Sequence, residues 1–414
     1  MIGRPCVLKG NITVNTDGSL LLKTITNVKW TFTWSAVPEG LYKVRRGDLV
    51  QANGRCVLST RPYTLVATKV AVLASSGGDS IRSADAGPLD AWATTLPKYF
   101  ASASFGALSM PVDPAYNKVL TERVKLDCEG ELPSGYWWTA SRDANEWNLR
   151  RWGDAVDNDA SSRLSENLDP YQHHVYLMPN LGMTSYGVMI NDPPLRTWIT
   201  SDPFYLPIVN TIHELGHNLG LAHAQGYDAA GNLQEYGDGS CPMGFGPRLS
   251  HYNAPNSYAL GWTTPQAVLQ AGDLQPGVWK PFKLRGLADS PVSSLQILPN
   301  TWSASGWQYQ HSLWVSFRRA TPNNTDAELL PMYRNKVQVH RWTPDVYGCN
   351  CGPTTLLSTL DSANATTWPR PGSTAPWDTA SPLLVVRVSS IDEAAGAAYV
   401  SLCRKPTAGS TMCR

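Results

Sequence analysis

Residues 213–224 spell HELGHNLGLAHA, a stretch that holds three of the chain's eight histidines and one glutamate. On a helix of 3.6 residues per turn, His213 and His217 stand one turn apart on one face. Two imidazoles at that spacing can reach a single zinc ion. Glu214 lies on a neighbouring face, within reach of a water held by the ion without being a ligand itself. Gly220, three residues after His217, can take the left-handed conformation that ends a helix, and the chain can then bring His223 back to the same ion. Three neutral imidazoles leave a fourth position for water, the mark of a catalytic rather than a structural zinc site. The ion would acidify that water and polarise a carbonyl, while Glu214 would take the proton and pass it to a leaving amine. A helix with scattered polar residues is the plain alternative. With eight histidines in 414 residues, the full pattern arises by chance on the order of once in 100,000 such chains.

The extended pattern resembles that of the metzincin metallopeptidases. That resemblance implies a turn carrying a methionine under the ion, and Met243 in SCPMGFG fits. Its thioether would form an apolar floor for the imidazoles, although methionine also fills ordinary core. Several metzincins place a tyrosine two residues after this methionine, where this chain has Phe245. Tyr252 and Tyr258 are then candidates for oxyanion or substrate contact, with packing as the competing role for both. HELGHNLGLAHA followed by YGDGSCPMGFGPRLSHYNAPNSYALGW, with YQHHVYLMPNL upstream, is similar to the gametolysin family, peptidase M11. These are the cell-wall lytic metallopeptidases of green algae and their relatives. The resemblance implies a zinc endopeptidase acting on extracellular or cell-wall proteins and glycoproteins, with His213, His217 and His223 as ligands and Glu214 as general base. Some gametolysins carry glutamine at the position of His213, and the three-histidine form here favours zinc. The competing reading is an inactive adhesion or wall-binding protein with a metzincin-like core, which an intact Glu214 argues against.

These residues need elements to position them. The histidine segment follows SDPFYLP, where Ser201 or Asp202 can cap a helix and Pro203 or Pro207 can occupy its first turn. HHVYLMPNL has the composition of a buried strand, and DANEWNLRRWGDAVDN has apolar residues at helical spacing. Residues 91–263 therefore form a mixed α/β catalytic domain in this reading. Ahead of it, residues 1–74 hold five short runs rich in β-branched and aromatic residues, which suit a small barrel or sandwich. Residues 75–90, SSGGDSIRSADAGPLD in sequence, have the composition of a linker and of a protease-sensitive site. Residues 264–414 return to strand-like runs such as HSLWVSFRRA and PLLVVRVSSI and suit a β-sandwich. The expected fold is thus multi-domain α+β: an N-terminal β-barrel or sandwich, a central metzincin-like α/β domain and a C-terminal β-sandwich.

A formal net charge of +1, with 16% charged residues, gives no electrostatic basis for capturing nucleic acid or anionic membrane. No apolar run is long enough to span a bilayer, and a monomer is expected. Eight cysteines and sequons at Asn11, Asn323 and Asn364 favour a secreted protein, although no signal-type segment opens this chain. Cys6 and Cys56 are expected to pair. Cys349 and Cys351 are too close to pair with each other, so Cys403 and Cys413 are their expected partners. If Cys6 or Cys56 were free, its thiol could ligate the zinc of a latent form in which residues 1–74 act as a pro-domain. The sixteen tryptophans fill cores in the main, with those of the C-terminal part also candidates for polysaccharide contact. Asp228, Glu235 and Asp238 could hold Ca2+, although a solvated acidic loop explains them equally well.

Overall fold

The computed structural model describes residues 5–14, 20–24, 29–32, 49–55, 65–72, 89–111, 113, 115–126, 129–139, 146–178, 185–187, 194–200, 207–246, 248–302, 311–343, 352–375, 383–408, 410 and 412–413. Four N-terminal strands, β1 (Pro5–Val14), β2 (Leu20–Thr24), β3 (Lys29–Phe32) and β4 (Leu49–Arg55), form an antiparallel sheet in the order β3-β2-β1-β4. The sheet is open at both ends, so the closed-barrel form of the N-terminal expectation is not what these strands build.

The fifth N-terminal run goes elsewhere. β5 (Leu65–Val72) lies in parallel between β6 (Asn117–Leu126) and β9 (His173–Met178), inside a five-stranded sheet. Between β5 and β9 the chain also forms α1 (Leu89–Ala103), a small hairpin of β7 (Glu129–Glu131) and β8 (Trp137–Thr139), and α2 (Glu146–Arg163). After β9 come β10 (Tyr186–Gly187), β11 (Leu195–Thr200) and α3 (Pro207–Asn218). The sheet order is β10-β11-β9-β5-β6, parallel throughout except for the edge strand β10. Every residue of β9 is buried, as a strand covered on both faces must be. Val175 and Leu177 point to one face with Leu96 and Phe100 of α1 and Ile212 and Leu215 of α3. Tyr176 and Met178 point to the other, with Trp152 and Val156 of α2.

Beyond α3 the chain is mostly sheet. It forms β12 (Ala224–Tyr227), β13 (Leu233–Gln234), the short helix α4 (Ala254–Ala259), β14 (Thr264–Leu269), β15 (Trp279–Arg285), β16 (Val292–Ile297), β17 (Ser312–Arg318), β18 (Lys336–Trp342), β19 (Thr354–Leu360), β20 (Thr367–Trp368), β21 (Leu384–Asp392) and β22 (Ala397–Arg404). Seven strands make one sheet, β13-β12-β19-β18-β17-β16-β14, and four make another, β15-β22-β21-β20. Leu313, Val315, Phe317, Val337 and Val339 of the first share one apolar core with Leu284, Val386, Val388, Val400 and Leu402 of the second. The boundary expected after residue 263 is crossed by the larger sheet. β12, which begins one residue after His223, pairs in parallel with β19 through Ala224–Thr354 and Gln225–Thr355.

The alternate residues of β17 and β18 explain that union. Ser316, Arg318, Gln338 and His340 are fully buried, and buried polar groups need partners. Arg318, Gln338 and His340 find partners on the loop between β13 and α4, and Arg318 finds a further one on the β17–β18 connection. Arg318 makes a fully buried ion pair with Asp326, at 2.5 Å, and donates to the His251 carbonyl. Gln338 donates to Ser240, and Asp238 binds His340 at 3.0 Å and accepts from Asn253.

Among the described residues, Cys403 pairs with Cys413, with Cα atoms 5.7 Å apart, rather than with Cys349 or Cys351. The ten-residue tail folds back on the end of β22, bringing its last cysteine next to Val385 and Cys403. The Cys6–Cys56 pairing, the thiol latch, Cys349, Cys351, the helix-start residues Ser201, Asp202 and Pro203, and nearly all of the 75–90 linker lie outside the described residues. The tail's described tryptophans are largely core. Trp314, Trp342 and Trp368 are buried, and Trp279 and Trp302 lie under the guanidinium groups of Arg387 and Arg404. No helix among the described residues is long and apolar enough to cross a membrane.

Candidate metal centre

α3 buries Ile212 and Leu215 against the sheet and turns His213 and His217 the other way. Its C-terminus is anchored by Asn218. The Asn218 amide oxygen accepts from Thr197 of β11 and from His173 Nδ1 of β9, and its amide nitrogen donates to the Arg196 carbonyl. The helix then ends as the glycine implied. Gly220 has φ +93°, its N–H bonds the His217 carbonyl, and the Leu221 N–H bonds the Gly216 carbonyl. That pair of bonds is a Schellman stop, in which a glycine takes the left-handed turn without strain. The reversal delivers His223 beside His217.

The ligand nitrogens of His213, His217 and His223 lie within 4.8 Å of one another, and theirs is the one such cluster of three among the described residues. Each ring's Nδ1 is committed as a donor: His213 to the Pro242 carbonyl at 2.6 Å, His217 to the Leu221 carbonyl at 2.8 Å, His223 to the Glu235 carboxylate at 2.6 Å. A neutral imidazole that donates from Nδ1 presents a lone pair at Nε2. Burial holds His213 down to about 4 and His217 to about 3, the latter helped by its histidine neighbours, so both are neutral at pH 7. The Nε2 atoms of His217 and His223 are 3.1 Å apart. Two lone pairs facing each other at that distance repel unless a cation lies between them. The donor set therefore suits a divalent metal such as zinc.

Glu214 is buried beside the triad, 7% exposed. Burial pushes its carboxyl up to about 8, and a hydrogen bond from the Gly187 amide of β10 works against that rise. A Cβ on Gly187 would strike the Glu214 backbone, so this glycine permits the edge strand to lie against the helix. Met243 is fully buried beneath α3, where a Cβ on Gly216 would collide with its sulfur. The turn bearing Met243 is tied to the triad twice. Pro242 accepts from His213, and the Met243 carbonyl accepts from the Ala224 amide.

The tyrosines singled out from sequence are elsewhere. Tyr252 is fully buried behind α3, donates to the Ile212 carbonyl at 2.9 Å and packs on Tyr99 and Trp262. Tyr258 packs on Trp314 and Trp342. The tyrosine at the triad is Tyr236, whose ring centroid is 4.1 Å from that of His223. Nothing in its spacing announced it, because β13 and the loop after it had to be placed first. The calcium site weighed against a solvated acidic loop at Asp228, Glu235 and Asp238 does not assemble among the described residues. Asp228 is consumed by its own hairpin, accepting from Ala230, Asn232 and Gln234. Glu235 orients His223, and Asp238 faces the larger sheet. Burial works to raise the Asp238 carboxyl, but His340, Ser240 and Asn253 overcome it and hold the group below its ordinary range.

No curated protein matches the chain. The family model described as gametolysin peptidase M11 matches residues 66–354. That span opens in β5, takes in the histidine triad and Met243, and closes on the first residue of β19. A match over more than half of the 414 residues, centred on a metal-ready triad, places this chain in the gametolysin peptidase M11 family of metallopeptidases.

Proposed function

We propose that this protein is a secreted zinc endopeptidase that cleaves extracellular or cell-wall proteins and glycoproteins. The observation that carries the reading is the three-histidine cluster with every Nδ1 tied as a donor and the three Nε2 atoms gathered at one point. His213, His217 and His223 would hold the ion, which when bound supplies Lewis-acid activation of water and of the scissile carbonyl.

Glu214 is the proton carrier in this reading. Its buried carboxyl sits in the range where a group can accept a proton at neutral pH and release it again. The proton would come from the attacking water and go to the leaving amine. The Gly187 amide fixes the carboxylate, and Met243 supplies a dry apolar floor that keeps α3 in place. Tyr236 shields one side of His223. Secretion is supported by the Cys403–Cys413 disulfide and by the exposed sequon residues Asn323 and Asn364.

The test is a casein digest by the whole chain, run with and without a chelator and alongside two variants. Activity should require zinc. Glu214→Gln should keep one zinc per chain and lose activity by roughly three orders of magnitude or more. His217→Ala should lose the metal itself, read by elemental analysis. A Glu214→Gln protein that retains most of its rate removes this residue from the mechanism. A zinc-loaded wild type that cleaves nothing favours a binding protein.

A further inference from the structure

Beside the triad lies a cleft of about 500 Å³, a volume ordinary for a ligand site. One wall comes from the loop preceding Met243 and the turn that carries it: Tyr236, Gly239 and Phe245. The opposite wall comes from residues nearly a hundred positions later, Leu330 and Tyr333. The two walls are stitched together. Tyr333 is hydrogen-bonded across the cleft to the Gly239 backbone, and within the first wall the Phe245 amide donates to the Tyr236 carbonyl at 2.8 Å. The segment bearing Leu330 and Tyr333 is itself rigid, held by the buried Arg318–Asp326 ion pair and by tight turns onto the Leu330 carbonyl.

Three features say what would enter. Beside Gln234, Glu235 and two glycines, the lining is made by Tyr236, Phe245, Leu330 and Tyr333, and two of these apolar rings stay exposed: Tyr236 at 40% and Phe245 at 57%. Exposed apolar groups gathered beside a reactive centre mark a binding surface rather than chance. The cleft adjoins the triad through Tyr236, which lines it and whose ring packs at a tilt on His223. The one formal charge in its lining, Glu235, directs one carboxylate oxygen to His223 Nδ1, which draws on the charge that a cationic side chain would need.

We propose that this cleft receives a large apolar or aromatic side chain of the peptide substrate on the His223 side of the centre, and that Leu330 and Tyr333 help set that preference. The inference rests on the peptidase reading above and gives it a substrate class. The β-rich region after residue 263 then contributes directly to specificity.

The experiment uses the whole zinc-loaded chain and a peptide library varied one position at a time around a cleaved bond. Wild type is compared with Phe245→Ser, which changes an exposed side chain, and with Leu330→Trp, which fills the cleft. Zinc content and thermal midpoint are recorded for each. At one position, wild type should prefer Phe, Tyr, Leu or Met over Ala by at least about tenfold in kcat/KM, the scale set by filling an apolar pocket. Each folded variant should cut that ratio by about tenfold. An unchanged ratio in both variants overturns the proposal, as does a wild-type preference for Lys or Arg, which would make Glu235 the reader. Absence of any cleavage by zinc-loaded wild type overturns the peptidase reading, and the proposal falls with it.

Discussion

Glu235 shows how much of the proposed metal centre lies outside its three histidines. It does not touch the shared point of the triad, yet its carboxylate holds His223 Nδ1 at 2.6 Å and thereby turns the ring's lone pair toward the other two. His213 and His217 obtain the same service from backbone carbonyls, which no side-chain substitution can remove directly. His223 is therefore the member of the triad most open to perturbation. Glu235→Ala should weaken zinc binding by about 10- to 100-fold, measured by competition with a chromogenic chelator at pH 7. An affinity within twofold of wild type would mean that His223 keeps its orientation unaided.

At the scale of elements, α3 and the strands under it act as one piece. Asn218 joins the helix end to β9 and β11, and its partner on β9, His173, is 4% exposed. Burial holds His173 down to about 3, with the Asn218 hydrogen bond opposing that shift. A depressed histidine is neutral when folded but takes up a proton near 6.5 when unfolded. Below that pH the unfolded chain binds more protons, so stability falls as pH drops from about 6.5 toward 3, by up to about 1.4 kcal/mol per unit for this group. His173→Gln can keep the contact to Asn218 without titrating. Its thermal midpoint should therefore decline less than that of wild type between pH 6.5 and 4.5 in chelator-treated samples. Parallel declines would assign the acid sensitivity to other groups.

Across the whole molecule, the loop that carries Met243 is held between α3 and the seven-stranded sheet. Asp238, Ser240, His251 and Asn253 on that loop meet Arg318, Gln338, His340 and Thr354 on the sheet, all of them buried. Breaking one partner of a buried ion pair strands the other, at a cost of about 3–5 kcal/mol. Arg318→Met should therefore destabilise the protein by that amount in urea unfolding, and adding Asp326→Leu should recover most of the loss. Removing residues 264–414 should abolish zinc binding altogether, because β12 loses its partner β19 and the loop under α3 loses its anchors. A shortened chain ending at residue 263 that still binds one zinc would show that the sheet is dispensable.

What could be learned from the chain's linear order was local. His213, Glu214, His217, Gly220 and His223 are related by helical spacing and one reversal, so backbone geometry alone relates them, and Met243 came with the family pattern. The strands of the C-terminal region were legible too, because their side chains alternate or run apolar. The groups that only the tertiary structure brought together lie beyond that local spacing: Glu235 and Tyr236 against His223 across a hairpin, and Tyr333 against Gly239 and His340 against Asp238 across about a hundred residues. β5 was assigned to the wrong neighbours for the same reason, since composition shows that a segment is a strand but not which strand it pairs with. A motif encodes the chemistry that a few adjacent turns of backbone can align. Pairing and burial between distant segments depend on the free energy of the whole packed chain, and these decide how the site is oriented, walled and held.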